Sequence, residues 1–289
     1  MNRNQNIDCI PLKGASSMEI IRLPVLEAGA RLTAYLHDNC PDELPNRLKR
    51  PALVICPGGG YEFLSRREFD PPAMAFFSRG YQVFVLEYSV APKEISHMQP
   101  LQEISASVAL IRKKARAEEW AVFPDQIAVL GFSAGGHLAA SLSVYWNHPD
   151  LLASLSIEPG ENKPNAAILC YPVITAGEFA HRSSIVNISG SKEPGEEWDF
   201  WSLEKHVTKD TPPTFLWHTV SDPAVPVENS LLYAAALQKH HIPFECHLFA
   251  EGNHGLSTCD EESNSVSSSC RPWVDLALRW LGDRFCFSY

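Results

Sequence analysis

The residues best suited to covalent chemistry lie in Gly131-Phe132-Ser133-Ala134-Gly135-Gly136-His137. This segment fits G-x-S-x-G and falls between an apolar strand, residues 127–131, and an Ala-rich helix, residues 135–145. In that setting the serine occupies a sharp strand-to-helix turn that lifts its oxygen clear of a sheet. The glycines two residues either side remove side chains that would collide across the turn. The competing reading, a plain structural turn, explains neither the strand before it nor the helix after it. Serine alone is a poor nucleophile, so a base must take its proton and an acid must orient that base.

His254 is the candidate base. It sits in the glycine-flanked loop Glu251-Gly252-Asn253-His254-Gly255, just past an apolar strand, where a side chain can reach over a sheet end. His137 belongs to the elbow helix, His240, His241 and His247 flank or occupy the preceding strand, and His218 reads as a satisfied core histidine. Asp222, in Thr219-Val220-Ser221-Asp222-Pro223, is the candidate acid, giving the chain order Ser…Asp…His. Its competing reading is an Asp-Pro turn or cap. Glu251 is too close to His254 in sequence to orient it, and Asp260 and Glu261 follow it.

Charge developing on an attacked carbonyl oxygen needs backbone donors. Pro57-Gly58-Gly59-Gly60-Tyr61 follows a buried strand, and Gly59 and Gly60, with Ala134 after the serine, are the expected donors. The glycine run lacks both G-x-x-x-x-G-K-[ST] and G-x-G-x-x-G spacing, which argues against nucleotide binding. Histidines near cysteines lack zinc-ligand spacing, and no metal or cofactor is called for.

These groups need a scaffold, and the pattern supplies one. Residues 18–27 and 31–37 alternate around Ala28-Gly29-Ala30 as an antiparallel hairpin. A polar linker, 39–50, leads to the apolar strand 52–56; further strands are predicted at 81–87, 127–131, 166–170, 214–220 and 244–249. Helices are predicted at 70–79, 101–117, 135–145, 227–239 and 273–285, the first with Pro71 and Pro72 in its opening turn. Such alternation implies an α/β fold with a mainly parallel central sheet, an antiparallel N-terminal hairpin and helices on both faces. Residues 172–213 show no clear periodicity and are too long for a simple connection. They read as a short lid-like insertion over the active face of a single domain spanning 1–289. Its Trp198, Phe200 and Trp201 are expected to wall the substrate site, with Trp198, Trp201 and Tyr61 as substrate contacts.

Composition narrows the partners. A length of 289 residues, 45% hydrophobic and 20% charged, suits an ordinary globular chain. A formal charge of −10 disfavours nucleic acid and polyanionic substrates. No window approaches the roughly 20 apolar residues of a membrane span, and residues 1–14 carry no secretory-type apolar run, so a cytoplasmic protein acting on a small molecule is expected. Eight cysteines show no C-x-x-C pair. Cys56, Cys170 and Cys246 read as buried small hydrophobes; Cys259 and Cys270 flank a Ser-rich loop where a disulfide is one reading and free thiols, in a reducing compartment, the favoured one.

Taken together, ALVICPGGGY, RREFDPPAMAFFSRGYQVFVLEYSV, IAVLGFSAGGHLAASL, AAILCYPVIT, PPTFLWHTVSDPAVPVENSLLYAAAL and the residues 249–256 resemble the esterase/lipase superfamily of α/β-hydrolases. The chain is most similar to its bacterial acetyl esterases and feruloyl/acetyl-xylan-esterase-like proteins. The resemblance implies Ser133 as nucleophile, His254 as base, Asp222 as its partner, and Gly59, Gly60 and Ala134 as the oxyanion region. It implies deacetylation of a sugar or similar small alcohol through an acyl-enzyme, without cofactor. One departure is Pro57, where many relatives place the histidine of HGGG; main-chain donors survive that change. An amidase or peptidase on the same scaffold, and a ligand-binding pseudo-enzyme, are the rival readings. A histidine base predicts activity falling below about pH 6.

Overall fold

A computed structural model describes residues 18–26, 29–38, 42, 44–91 and 98–288. The described strands, β1 (Glu19–Val25), β2 (Ala30–Leu36), β3 (Arg50–Cys56), β4 (Gln82–Glu87), β5 (Val122–Phe132), β6 (Ala166–Cys170), β7 (Thr214–Thr219) and β8 (Phe244–Phe249), form one sheet in the order 1-2-4-3-5-6-7-8. β1 and β2 pair antiparallel, as do β2 and β4; every other pair is parallel. This is the architecture that the strand–helix alternation predicts.

Parallel neighbours require crossovers, and the described helices supply them on both faces. They are α1 (Asp70–Phe77), α2 (Gln99–Arg116), α3 (Ala134–Tyr145), α4 (Pro149–Leu155), α5 (Arg182–Ser189), α6 (Glu196–Phe200), α7 (Glu228–Lys239) and α8 (Trp273–Phe285). The two-residue period of the central strands sorts their side chains into two cores. From β3, Ala52, Val54 and Cys56 join residues of α2, α3 and α7, while Leu53 and Ile55 join residues of α1 and α8. Each fully buried Leu, Ile or Val contributes about 1.5–3 kcal/mol of transfer free energy. With both faces covered, side chains that are to meet solvent must sit at the strand ends.

Three differences from the sequence reading have local causes. β5 begins at Val122 rather than 127, because a register shift between Arg50 and Ala52 lets Val122 pair with Arg50. α4 follows the elbow helix without a long periodic pattern to announce it, Pro149 sitting in its first turn. Segment 172–213 is built from α5, α6 and a 3₁₀ turn at Leu203–Lys205, pieces too short for periodicity to reveal. Glu27, Ala28, most of the linker before Pro45, Cys9 and Cys40 lie outside the described residues. Cys56, Cys170, Cys246, Cys259, Cys270 and Cys286 are free thiols. Among the described residues, no helix is long and apolar enough to cross a membrane.

Candidate active site

Ser133 stands between β5 and α3 with φ 54° and ψ −119°. A non-glycine residue held there stores about 1–3 kcal/mol of strain, so the surroundings must fix it. The Ser133 amide donates to the Cys170 carbonyl (3.0 Å), and its own carbonyl accepts from the amides of His137 (3.0 Å) and Val173 (3.1 Å). The flanking glycines are steric necessities. A Cβ on Gly131 would fall 2.0 Å from the Gly135 carbonyl oxygen, the collision across the turn foreseen from the motif. A Cβ on Gly135 would instead meet the Cys56 carbonyl oxygen at 2.1 Å, so this glycine admits β3 rather than the other side of the turn.

The sheet brings the other two chemistry-bearing residues to the same end. His254 Nε2 lies 2.7 Å from Ser133 Oγ, and His254 Nδ1 lies 2.7 Å from Asp222 Oδ2. An ionised carboxylate only accepts, so Nδ1 carries the proton and Nε2 is left to accept from the serine hydroxyl. Asp222 has two occupations. Its Oδ1 accepts from the amides of Ala224 (2.9 Å) and Val225 (3.0 Å), the turn expected of an Asp-Pro pair, while Oδ2 holds the imidazole. Burial pushes this carboxyl up, but bonds from His218, His254 and the Val225 amide, with the His254 charge, hold it well below the ordinary carboxylate range.

His218 is the satisfied core histidine that the sequence suggests, bonded to Ser230 Oγ and the Val225 carbonyl, with Nε2 3.4 Å from Asp222 Oδ2. His137 is buried too; Tyr61 Oη donates to its Nδ1 and its Nε2 donates to the Trp201 carbonyl. Burial lowers it to about 4, so it is neutral and structural.

Facing Ser133 is the loop after β3. The Gly58 amide is taken by Glu68 Oε2 at 2.7 Å. The amides of Gly59, Gly60 and Ala134 take no acceptor among the described residues. Gly59, at φ 129°, could carry no Cβ, which would fall 2.0 Å from the Phe63 carbonyl oxygen. Gly59, Gly60, Ser133 and His254 line one cleft of about 220 Å³. A hydroxyl bonded to an oriented imidazole, beside uncommitted amides, is the equipment of acyl transfer. Among the described residues no three His, Cys, Asp or Glu side chains gather as metal ligands.

The expected substrate contacts need correction. Tyr61, Trp198 and Trp201 are buried and none lines the cleft. Tyr61 points at His137, Trp201 packs on His137 and Phe200, and the Trp198 Nε1–H donates to the Ser191 carbonyl. Tyr61 and Trp201 pack on α3 through His137, and Trp198 lies under the Arg182 guanidinium of α5, so none of the three walls a substrate site. Segment 172–213 does reach the cleft, through His181 and Ser183 at the start of α5, and Asn187 Nδ2 donates to the Gly60 carbonyl. Phe63, 59% exposed, is the aromatic ring at the cleft, together with Arg67 and Glu62. Burial and the neighbouring His254 lower the His181 pKa, with Asp222 opposing.

The chain has relatives of known family. The family model described as BD-FAE matches residues 43–237. The endo-1,4-beta-xylanase B of Butyrivibrio fibrisolvens is 38% identical over 238 residues, 80% of this chain and 35% of the relative. The acetylxylan esterase of Xylanibacter ruminicola is 28% identical over 222 residues, 74% of this chain and 42% of the relative. The chain thus spans less than half the length of these two curated relatives. Among solved structures, the acetyl ester-xyloside bifunctional hydrolase of Caldicellulosiruptor lactoaceticus is similar with a TM-score of 0.76 and 33% identity, over 99% of this chain and 95% of that one.

Proposed function

The chain belongs to the BD-FAE family, as an α/β-hydrolase of the carboxylic ester hydrolase class, and from that premise we propose that it removes short acyl groups, acetyl foremost, from sugar esters such as acetylated xylo-oligosaccharides. The observation that carries the reading is the unbroken 2.7 Å and 2.7 Å chain from Ser133 through His254 to Asp222. Ser133 Oγ attacks the ester carbonyl while His254 Nε2 takes its proton. Asp222 holds the imidazole in the required tautomer and stabilises the imidazolium. The Gly59, Gly60 and Ala134 amides receive the oxyanion, a single donor of this kind being worth about 3 kcal/mol. The alcohol leaves with the proton from His254. Water then attacks the acyl-Ser133 by the same route in reverse, freeing the carboxylic acid.

The cleft supports a small acyl group and a polar alcohol. Its volume of about 220 Å³ and its Ser65, Ser183, His181 and Arg67 lining suit a small acyl group on a polar alcohol better than a fatty chain. Phe63 offers a face on which a pyranose ring can lie. The substrates for which two relatives are named, a xylan acetyl ester and an acetyl ester-xyloside, suit that shape. The deciding assay is acetate release from acetylated xylo-oligosaccharides by wild type and Ser133→Ala. We expect release by wild type alone. If wild type cleaves p-nitrophenyl acetate but no sugar ester, the sugar assignment fails and an amide substrate becomes the reading to test.

A further inference from the structure

Glu68 is a carboxyl group 2% exposed, at the floor of the cleft, and the acyl-transfer cycle gives it no proton to move. Among the described residues no cation lies within ion-pair distance of it. A buried carboxylate without a counter-ion is expensive. Its two bonds show what the carboxylate does that an apolar group cannot. Oε2 accepts from the Gly58 amide at 2.7 Å, and Oε1 accepts from Tyr171 Oη at 2.7 Å.

Each bond leads to a different half of the site. Gly58 opens the oxyanion loop and is wedged in place: a Cβ there would lie 2.8 Å from the Phe132 carbonyl oxygen, 2.9 Å from Glu68 Oε2 and 3.0 Å from Ser133 Cβ. With the Gly58 amide turned down onto Glu68, the next two amides are left for the cleft. Tyr171 follows β6 at φ 37°, its ring edge-on to His254 with centroids 5.1 Å apart. Its Oη also accepts from the Ser257 amide at 2.8 Å, three residues beyond His254. Ser257 Oγ donates to the Arg67 carbonyl at 2.6 Å, which returns the path to the residue before Glu68.

We propose that Glu68 is a positioning residue, whose carboxylate ties the oxyanion loop to the His254 loop through Tyr171 and so fixes the distance between the oxyanion donors and the base. The proposal rests on the assignment of Ser133, His254 and Asp222 above. A misplacement of about 1 Å between such groups costs roughly 100-fold in rate, which sets the scale of the effect.

Glu68→Gln is the first test. Its amide keeps the volume but cannot accept from both Gly58 N–H and Tyr171 O–H. With p-nitrophenyl acetate, which makes no demand on the sugar, kcat should fall about 10- to 100-fold while KM stays within about twofold. Affinity for an acetyl-sized trifluoromethyl ketone, which forms the tetrahedral adduct, should weaken by the same factor. Tyr171→Phe breaks the second arm, and combining it with Glu68→Gln should add less than its effect in wild type. A Glu68→Gln protein with lowered Tm but near-wild-type kcat and ketone affinity would overturn the proposal, as would additive effects of the two changes. Should Glu68→Gln not fold, Tyr171→Phe decides alone: about tenfold loss in kcat and ketone affinity supports the tie, and no loss refutes it. Ser133→Ala in the same assay separates the two readings, since a fully active Ser133→Ala protein would sink the nucleophile assignment whatever Glu68 does.

Discussion

Arg112 and Glu68 are both buried ionic groups, tying connections together at opposite ends of one sheet, and only one of them borders chemistry. Arg112, near the end of α2 and 4% exposed, donates to the carbonyls of Pro124 (2.8 Å) and Lys163 (2.6 Å), to that of Glu161, and to Asn165 Oδ1 (3.2 Å). Asn165 Oδ1 in turn accepts from the Ile127 amide. This hub joins the α2 end, the approach to β6 and the start of β5. Glu68 joins the segments leaving β3, β6 and β8. The device is the same, a planar charged group satisfied by fixed partners. What differs is that the carboxyl ends of parallel strands are where such a sheet presents open backbone and loop residues, so the second hub borders the cleft that holds Ser133 and His254, while the first borders a pocket that holds neither.

The contrast can be broken most forcefully at the cleft end. Asp222→Asn should leave the fold intact, since Oδ1 can still accept from the Ala224 and Val225 amides. It should lower kcat by about 10⁴-fold, because the side-chain amide favours the wrong imidazole tautomer. A loss under tenfold would show that Asp222 orients nothing.

At the other end, Arg112→Met should strand several carbonyls at about 1–3 kcal/mol each. We expect Tm to fall by roughly 5–10 °C with kcat of the folded protein within about twofold of wild type. A large kcat loss at unchanged Tm would erase the distinction between the two hubs.

Smaller effects sharpen it further. Phe63→Ala should raise KM for acetylated xylo-oligosaccharides about 3- to 10-fold and leave p-nitrophenyl acetate hydrolysis unchanged. Trp201→Ala, which empties a buried site, should do the reverse, lowering Tm through the lost packing without a selective change in KM. Equal KM effects from both changes would restore the aromatic wall expected from the sequence.

The smallest effect is on stability against pH. Burial raises the Glu68 carboxyl despite the Tyr171 and Gly58 bonds, so the folded chain holds this proton more tightly than the unfolded chain. Its contribution is complete below the unfolded value of about 4.3 and is lost as pH rises through the folded value. The Tm of wild type minus that of Glu68→Gln should therefore shrink as pH rises from about 4. Asp222, held low, behaves oppositely, its contribution being present above about 3.9 and lost as pH falls through the folded value. A Glu68 difference that widens with pH would contradict the direction given by burial.

Ser133, Asp222 and His254 were legible because each is announced locally: an elbow between strand and helix, and two loops at the ends of apolar strands. Chain order removed Asp260 and Glu261, the rival histidines were removed by their places in helix and strand, and the sheet brings Ser133, Asp222 and His254 to one end. The aromatic residues were misread for a physical reason. Trp198 and Trp201 look alike in sequence whether they face solvent or core, and the burial of Trp201 depends on α3, which lies over 50 residues upstream. Glu68 was invisible for a related reason. Its partner Tyr171 is 103 residues away, and nothing within Arg66-Arg67-Glu68-Phe69-Asp70 marks one acid as buried and the other as surface. Phe63 was hidden inside the turn that the glycines make, although its place beside Gly59 was available from the sequence.

The backbone of Ser133 carries a last consequence. Glycine would adopt φ 54° without the Cβ penalty that serine bears, and the bonds of this residue to Cys170, His137 and Val173 are all made by its backbone. Laboratory evolution that screens variants for heat resistance alone would thus enrich Ser133→Gly, a sturdier and inert protein. Any thermostability campaign on this scaffold must couple survival to turnover.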